Sequence, residues 1–158
     1  MIANEIWQPK KIKKRRVYQL RDRRNSYGEL VQIDGSPHDW FEGRAPKCNL
    51  LVFIDDATSK LMELRFVEAE TTWDYMLSTK NYLNKHGRPV AFYSDKHSIF
   101  KINKPSLKQE QLTQFSRALK QLEIRLICAN SPQAKGRVET ANQTLQDRLP
   151  KELRLLNI

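Results

Sequence analysis

The order of hydrophobic patterns along the chain predicts an α/β fold, a mixed five-stranded sheet with helices packed on it. Three strand-like runs come first, joined by short connections, which favours an antiparallel meander. Two further strands then alternate with helical patterns, which favours parallel additions to the same sheet. The chain has 158 residues, 39% of them hydrophobic and 9% aromatic. That is the size of one domain able to bury a real core without disulfide or metal staples.

Residues 1–28 show no sustained period and are dense in charge. They read as a basic arm or linker, with room for a short helix around Val17–Arg24. The folded core is expected over 29–158. Glu29–Ser36 is its first strand, with Val31 and Ile33 on one face. Pro37–Lys47, which contains Gly43 and Pro46, is a loop. Cys48–Asp55 contains Leu50-Leu51-Val52-Phe53-Ile54, apolar enough for a strand covered on both faces. Asp56-Ala57-Thr58-Ser59 is turn chemistry. Leu61–Val67 alternates, with Met62, Leu64 and Phe66 set against Glu63 and Arg65, as in a half-exposed antiparallel strand. Thr71 or Thr72 can cap a helix that runs to about His86 and is closed by Gly87. Trp73, Met76 or Leu77, Lys80 and Leu83 would form its packed face. Pro89–Ser94 is the fourth strand, and Ser98–Gln109 is irregular. Leu112–Leu122 is helical, with Leu112, Phe115, Leu119 and Leu122 at helix spacing. Ile124–Cys128 is the fifth strand. A helix follows Pro132 with Val138, Ala141, Leu145 and Leu149 as its apolar stripe, and Pro150 should interrupt it.

The formal net charge is +10, and its distribution is uneven. Residues 10–24 carry nine Lys or Arg against the single acid Asp22, leaving the rest of the chain nearly neutral. Clustering this dense suits a phosphate backbone, with Lys13, Lys14, Arg15 and Arg16 at its centre. The plainer reading is a solvated linker. No run approaches the roughly 18 apolar residues of a membrane span, and no secretory signal is visible. Cys48 and Cys128 stand apart without zinc-site spacing, so free thiols in a reducing cytoplasm are expected.

Three carboxylates carry the functional signal. Asp34 ends the run Leu30-Val31-Gln32-Ile33, and Asp95 ends Val90-Ala91-Phe92-Tyr93-Ser94. Glu139 lies at the start of the last helix, on a polar flank shared with Asn142, Gln143 and Gln146. If the first and fourth strands are parallel neighbours, Asp34 and Asp95 both lie at carboxyl ends, where open α/β sheets place their ligands. Glu139 can reach the same point from the returning helix. Converging carboxylates suit hard divalent cations, and two such ions can drive phosphodiester chemistry. Asp55 and Asp56 are rival acids, but their Asp-Asp-Ala-Thr-Ser setting reads as structural turn chemistry. His97 could touch a phosphate or is a polar loop residue. Trp40 and Phe41 could stack on a base, though packing is the simpler role. Trp73 reads as helix packing.

These motifs resemble a family. Gln32-Ile33-Asp34-Gly35-Ser36, Tyr93-Ser94-Asp95-Lys96 and Ser131-Pro132-Gln133-Ala134-Lys135-Gly136-Arg137-Val138-Glu139 together look like the DDE catalytic core of retroviral-type integrases and insertion-sequence transposases, which has a ribonuclease H-like fold. Phe53-Ile54-Asp55-Asp56-Ala57-Thr58 fits the second strand and turn of that core. Asp34-Gly35-Ser36-Pro37-His38-Asp39-Trp40-Phe41-Glu42-Gly43 and Ser94-Asp95-Lys96-His97-Ser98-Ile99-Phe100 are most similar to ISNCY-type transposases. The resemblance covers about residues 28–158. The 44 positions between Asp95 and Glu139 exceed the interval of most integrases, which residues 98–111 explain as an inserted loop. It implies that Asp34, Asp95 and Glu139 hold two Mg²⁺ or Mn²⁺ ions for nicking of DNA at element ends and strand transfer into target DNA. It further implies a homo-oligomer on DNA in a bacterial cytoplasm, and phosphate contacts from Gln133, Lys135 and Arg137. Such transposases carry an N-terminal helix-turn-helix with no counterpart here, and the sequence stops soon after the last helix, so a core fragment truncated on its C-terminal side is expected. Two rivals remain: an inert remnant that only binds nucleic acid, and a ribonuclease H-like nuclease that never joins strands.

Overall fold

The computed structural model describes residues 22–102, 112–129 and 136–158. Eight elements follow one another: β1 (Leu30–His38), β2 (Cys48–Asp55), β3 (Leu61–Val67), α1 (Thr72–His86), β4 (Ala91–Ser94), α2 (Gln114–Gln121), β5 (Arg125–Cys128) and α3 (Gly136–Leu155). The strands form one sheet in the order β3-β2-β1-β4-β5. β1, β2 and β3 pair antiparallel, while β4 joins β1 and β5 joins β4 in parallel. The expected meander with parallel additions is therefore the observed sheet.

Strand alternation divides the core into two layers. Val31, Ile33, Leu51, Phe53 and Phe92 meet Tyr75 and Tyr82 of α1 and Phe115 and Leu119 of α2 on one face. Leu50, Val52 and Ile54 meet Val138, Ala141, Leu145 and Leu149 of α3 on the other. The sheet is thus covered on both sides, which is why β2 reads as an unbroken apolar run. Ile99 and Phe100, in the stretch expected to be irregular, are buried in the first layer.

Several elements depart from the sequence expectation for identifiable reasons. β1 runs on to His38, with Pro37 opposite Asn49 of β2. β4 pairs with β1 only at Leu30–Gln32, so the far edge of β1 is open at Pro37 and needs no donor there. In β3 a register shift opposite Phe53 and Ile54 breaks the two-residue alternation. Met62 joins the α1 layer, but Leu64 and Phe66 stay 40% and 38% exposed, while Glu63 is 6% exposed. Glu63 is tolerated there because Asn81 and Lys85 of α1 both donate to its carboxylate. α1 buries Tyr75, Ser78, Thr79 and Tyr82, one face at helix spacing, and of the expected face Met76 and Leu83 pack half-buried beside them. Trp73 is 71% exposed and does not pack. Its cap is Thr71, whose hydroxyl accepts from the Asp74 amide, and Gly87 closes it with φ 77°. α3 passes through the buried Pro150 without a break, forgoing one backbone donor within a long packed helix. The described tail of the arm, residues 22–24, is not helical. Cys48 and Cys128 are both free thiols, and burial pushes the Cys48 thiol up. Among the described residues no helix is long and apolar enough to cross a membrane.

Candidate active site

Register places the two aspartates. Gln32 of β1 pairs with Tyr93 of β4 as the last rung of their parallel ladder. Asp34 and Asp95 each lie two residues beyond that rung, so they occupy equivalent positions on adjacent strands just where the strands part. Strand neighbours lie roughly 4.8 Å apart, so the two positions are neighbours at the carboxyl ends of the strands. Asp34 is half-buried and Asp95 exposed. The Asp95 Oδ1 accepts from the His97 backbone amide at 2.8 Å, which orients the carboxylate from its own loop; the exposed His97 ring plays no part in that contact.

The third acid comes from α3. Gln32, Asp34 and Ser36 share one face of β1, and Val138, Asn142 and Gln146 share one face of α3. The Val138 amide donates to Gln32 Oε1 at 3.2 Å, Asn142 Nδ2 to Asp34 Oδ2 at 3.1 Å, and Gln146 Nε2 to Ser36 Oγ at 2.8 Å. Two residues of strand advance roughly 6.6 Å and four residues of helix roughly 6 Å, so the three rungs match. This polar ladder docks the helix of Glu139 directly onto the strand of Asp34. Glu139 sits in the first turn of α3, half-buried, and its carboxylate forms no hydrogen bond or ion pair among the described residues.

A fourth carboxylate, which the sequence did not single out, borders the site. Glu70 precedes the α1 cap, and its carboxylate rests against Gly35, where any Cβ would collide with it. The buried Tyr75 hydroxyl donates to Glu70 Oε2 at 3.0 Å. Burial above all, then the charge of Glu70 and its hydrogen bond, then Asp34 and Asp95, push the Tyr75 phenol far above its ordinary range. Tyr75 thus stays protonated and registers the negative field of three acids around it.

The rival acids are structural. Asp55 accepts from the Gly28 amide and from the amide and hydroxyl of Thr58, as expected of its turn setting. Asp56 is buried and bonds to Gln32, Arg137 and the Arg24 amide. Arg137, expected from the resemblance to meet phosphate, therefore has its Nε on Asp56 at 3.2 Å. Trp40 is packed rather than offered to a base, with its indole donating to the Ser36 carbonyl. Lys13, Lys14, Arg15, Arg16, Gln133 and Lys135 lie outside the described residues.

The donors Asp34, Asp95 and Glu139 are all oxygen ligands of the kind hard divalent cations take. Among the described residues, however, no group of three His, Cys, Asp or Glu side chains is close enough to hold a metal ion. The register sets Asp34 and Asp95 beside each other and α3 docks on β1, but the three acids are not closed into a ligand set.

Comparison with known proteins places this architecture. No protein-family model matches the chain. It is 58% identical over 154 residues to y4bF, a provisionally named transposase of Sinorhizobium fredii, covering 97% of this chain and 34% of that protein. It is 40% identical over 142 residues to the transposase for insertion sequence IS1202 of Streptococcus pneumoniae, covering 88% of this chain and 30% of that one. The chain thus spans about a third of the length of these relatives. In fold it matches a chain of the simian T-cell lymphotropic virus intasome, solved in complex with the PP2A regulatory subunit B56 gamma. The TM-score is 0.65 at 21% identity, covering 84% of this chain and 44% of that chain. It also matches the HTLV-2 integrase catalytic core domain in complex with magnesium, with a TM-score of 0.60 at 19% identity, covering 80% of this chain and 73% of that one. The chain is thus related by sequence to transposases, one of them that of an insertion sequence, and has the ribonuclease H-like fold of integrase catalytic cores.

Proposed function

We propose that this chain is the catalytic core of a DNA transposase, acting on element ends and target DNA by nicking and strand transfer, with Asp34, Asp95 and Glu139 as its acids. The observation that carries the reading is the register of Asp34 and Asp95 across parallel strands, with the helix of Glu139 laddered onto the same strand. The sequence relatives named as transposases support it from a second direction.

Asp34, Asp95 and Glu139 would hold Mg²⁺ or Mn²⁺, two ions in this reading, and would have to draw closer than they stand in this structure to do so; that the HTLV-2 integrase core, of similar fold, was solved in complex with magnesium supports a divalent ion. When bound, such ions activate an attacking oxygen and stabilise the leaving oxygen of a phosphodiester. The protein's own part is orientation. Asn142 holds one oxygen of Asp34, and the His97 amide holds one of Asp95. Lys13, Lys14, Arg15 and Arg16 of the arm would meet DNA phosphates, with Gln133 and Lys135 ahead of α3, and the active assembly would be a homo-oligomer on DNA.

The experiment is incubation of the full chain with supplied element-end DNA, a plasmid target and Mn²⁺. Nicked ends and joined products are the expected result. Tight DNA binding without either product would establish the rival reading, a remnant that only binds nucleic acid. Nicked ends that are never joined would establish the nuclease instead.

A further inference from the structure

Asp56 is fully buried, and Arg137, its ion-pair partner 81 residues on, is only 19% exposed at its side chain. The pair does not stand alone. Asp56 Oδ1 also accepts from Gln32 Nε2 at 2.8 Å, and its Oδ2 from the Arg24 amide at 2.9 Å. Gln32 turns its other amide atom, Oε1, to the Val138 backbone N–H. That N–H is one of the first-turn donors that a helix leaves without an internal partner. The links Asp56–Gln32–Val138 and Asp56–Arg137 close into a ring, since 137 and 138 are adjacent in the chain. The ring ties three places together: the turn after β2, the first half of β1, and the first turn of α3. Glu139 is the next residue.

We infer that Asp56 and Arg137 are positioning residues: their buried ion pair, bridged by Gln32, fixes the first turn of α3 and thereby the place of Glu139. A charge so deeply buried is costly unless it is paired and hydrogen-bonded, and the docked α3 supplies Asp56 with the Arg137 guanidinium. The apolar stripe of α3 could accept small rotations or shifts along the sheet, since burial is not directional. A charge-assisted hydrogen bond at the helix start does not. Ring and ladder together therefore set the register that the stripe leaves open. The catalytic half of this inference rests on the proposed function; the structural half does not.

Hydrogen exchange and turnover, measured on the full chain, test it with Asp56→Asn, Arg137→Gln and the double substitution. Each single variant should exchange the amides of residues 138–142 faster by roughly ten- to a hundredfold, the worth of a charge-assisted hydrogen bond. The amides of 75–83 in α1 should keep their rates. The double variant removes both charges, so it should fold at least as well as Asp56→Asn and still exchange fast at 138–142. Acceleration spread evenly over both helices, or none, would overturn the inference. On supplied DNA ends, each single variant should lose turnover by roughly a hundredfold with KM kept, the scale of about 1 Å of misplacement. A raised KM and a shallower salt dependence in Arg137→Gln alone would make Arg137 a phosphate contact instead. A native chain that nicks nothing would fail the proposed function while leaving the exchange result to decide the ring.

Discussion

At position 35 a side chain is excluded by the Glu70 carboxylate, which occupies the space of a Cβ and is held there by Tyr75. Gly35→Ala should swing Glu70 away and leave the buried Tyr75 hydroxyl without a partner, at a cost of about 1–3 kcal/mol. In a Tyr75→Phe background that cost should largely vanish, because no hydroxyl remains to be stranded. Urea melts of the two single variants and the double one check the cycle, and strictly additive losses would contradict the account of Gly35. This contact was not legible in the sequence: nothing in the residues around Glu70 announces an acid beside the site. Asp34, Asp95 and Glu139, by contrast, stood out through their setting in apolar runs and on a helix flank. Gln32 lay between. A polar residue within Val31-Gln32-Ile33 demands a buried partner, but only the fold reveals that the partners are Asp56 and Val138. Asp56 looked like turn chemistry for the same reason, since its partners Arg137 and Gln32 are distant in sequence.

Helices and strands were read well where one face is plainly apolar and poorly where packing uses mixed chemistry. α3 declares itself through Val138, Ala141, Leu145 and Leu149, all of which pack as expected. α1 does not, because it buries two tyrosines with Ser78 and Thr79 and leaves Trp73 in solvent. Its face is decided by aromatic fit against Phe53 and Phe92, whose rings lie 6.3 and 5.7 Å from that of Tyr82. Burial first, then Tyr27 and Asp55, push the Tyr82 phenol up to about 12. An unfolded tyrosine titrates near 10, so folding favours the neutral phenol. The stabilisation from Tyr82 should be fully present below about pH 10 and lost as pH rises through about 12. Unfolding free energies measured from pH 9 to 12 should fall more steeply for the native chain than for Tyr82→Phe. Identical slopes would contradict the assigned burial of α1.

Over the whole molecule, charge and chemistry occupy different regions: a basic leading segment, and a nearly neutral body holding the acids. Deleting residues 1–21, which spares the Arg24 amide bonded to Asp56, should weaken DNA binding and flatten the dependence of log affinity on log salt. An unchanged slope would remove the arm from the interface. Sheet order and the two-sided core were legible because alternation and connection length constrain topology. The meeting of strand and helix at the site was not, because it depends on side-chain bonds between residues 32–36 and 138–146, over a hundred positions apart. The central claim is that Glu139 completes a metal-dependent site with Asp34 and Asp95. Nicking of supplied ends in Mn²⁺ by Glu139→Gln tests it most directly, with a thermal melt of each protein. Asp147→Asn, on an exposed stretch of the same helix and paired with Lys151 in the next turn, is the control. Glu139→Gln should melt like the native chain yet nick nothing, because it keeps size and hydrogen bonding but loses the charge, while Asp147→Asn should nick normally. Cleavage by Glu139→Gln at the native rate would contradict it.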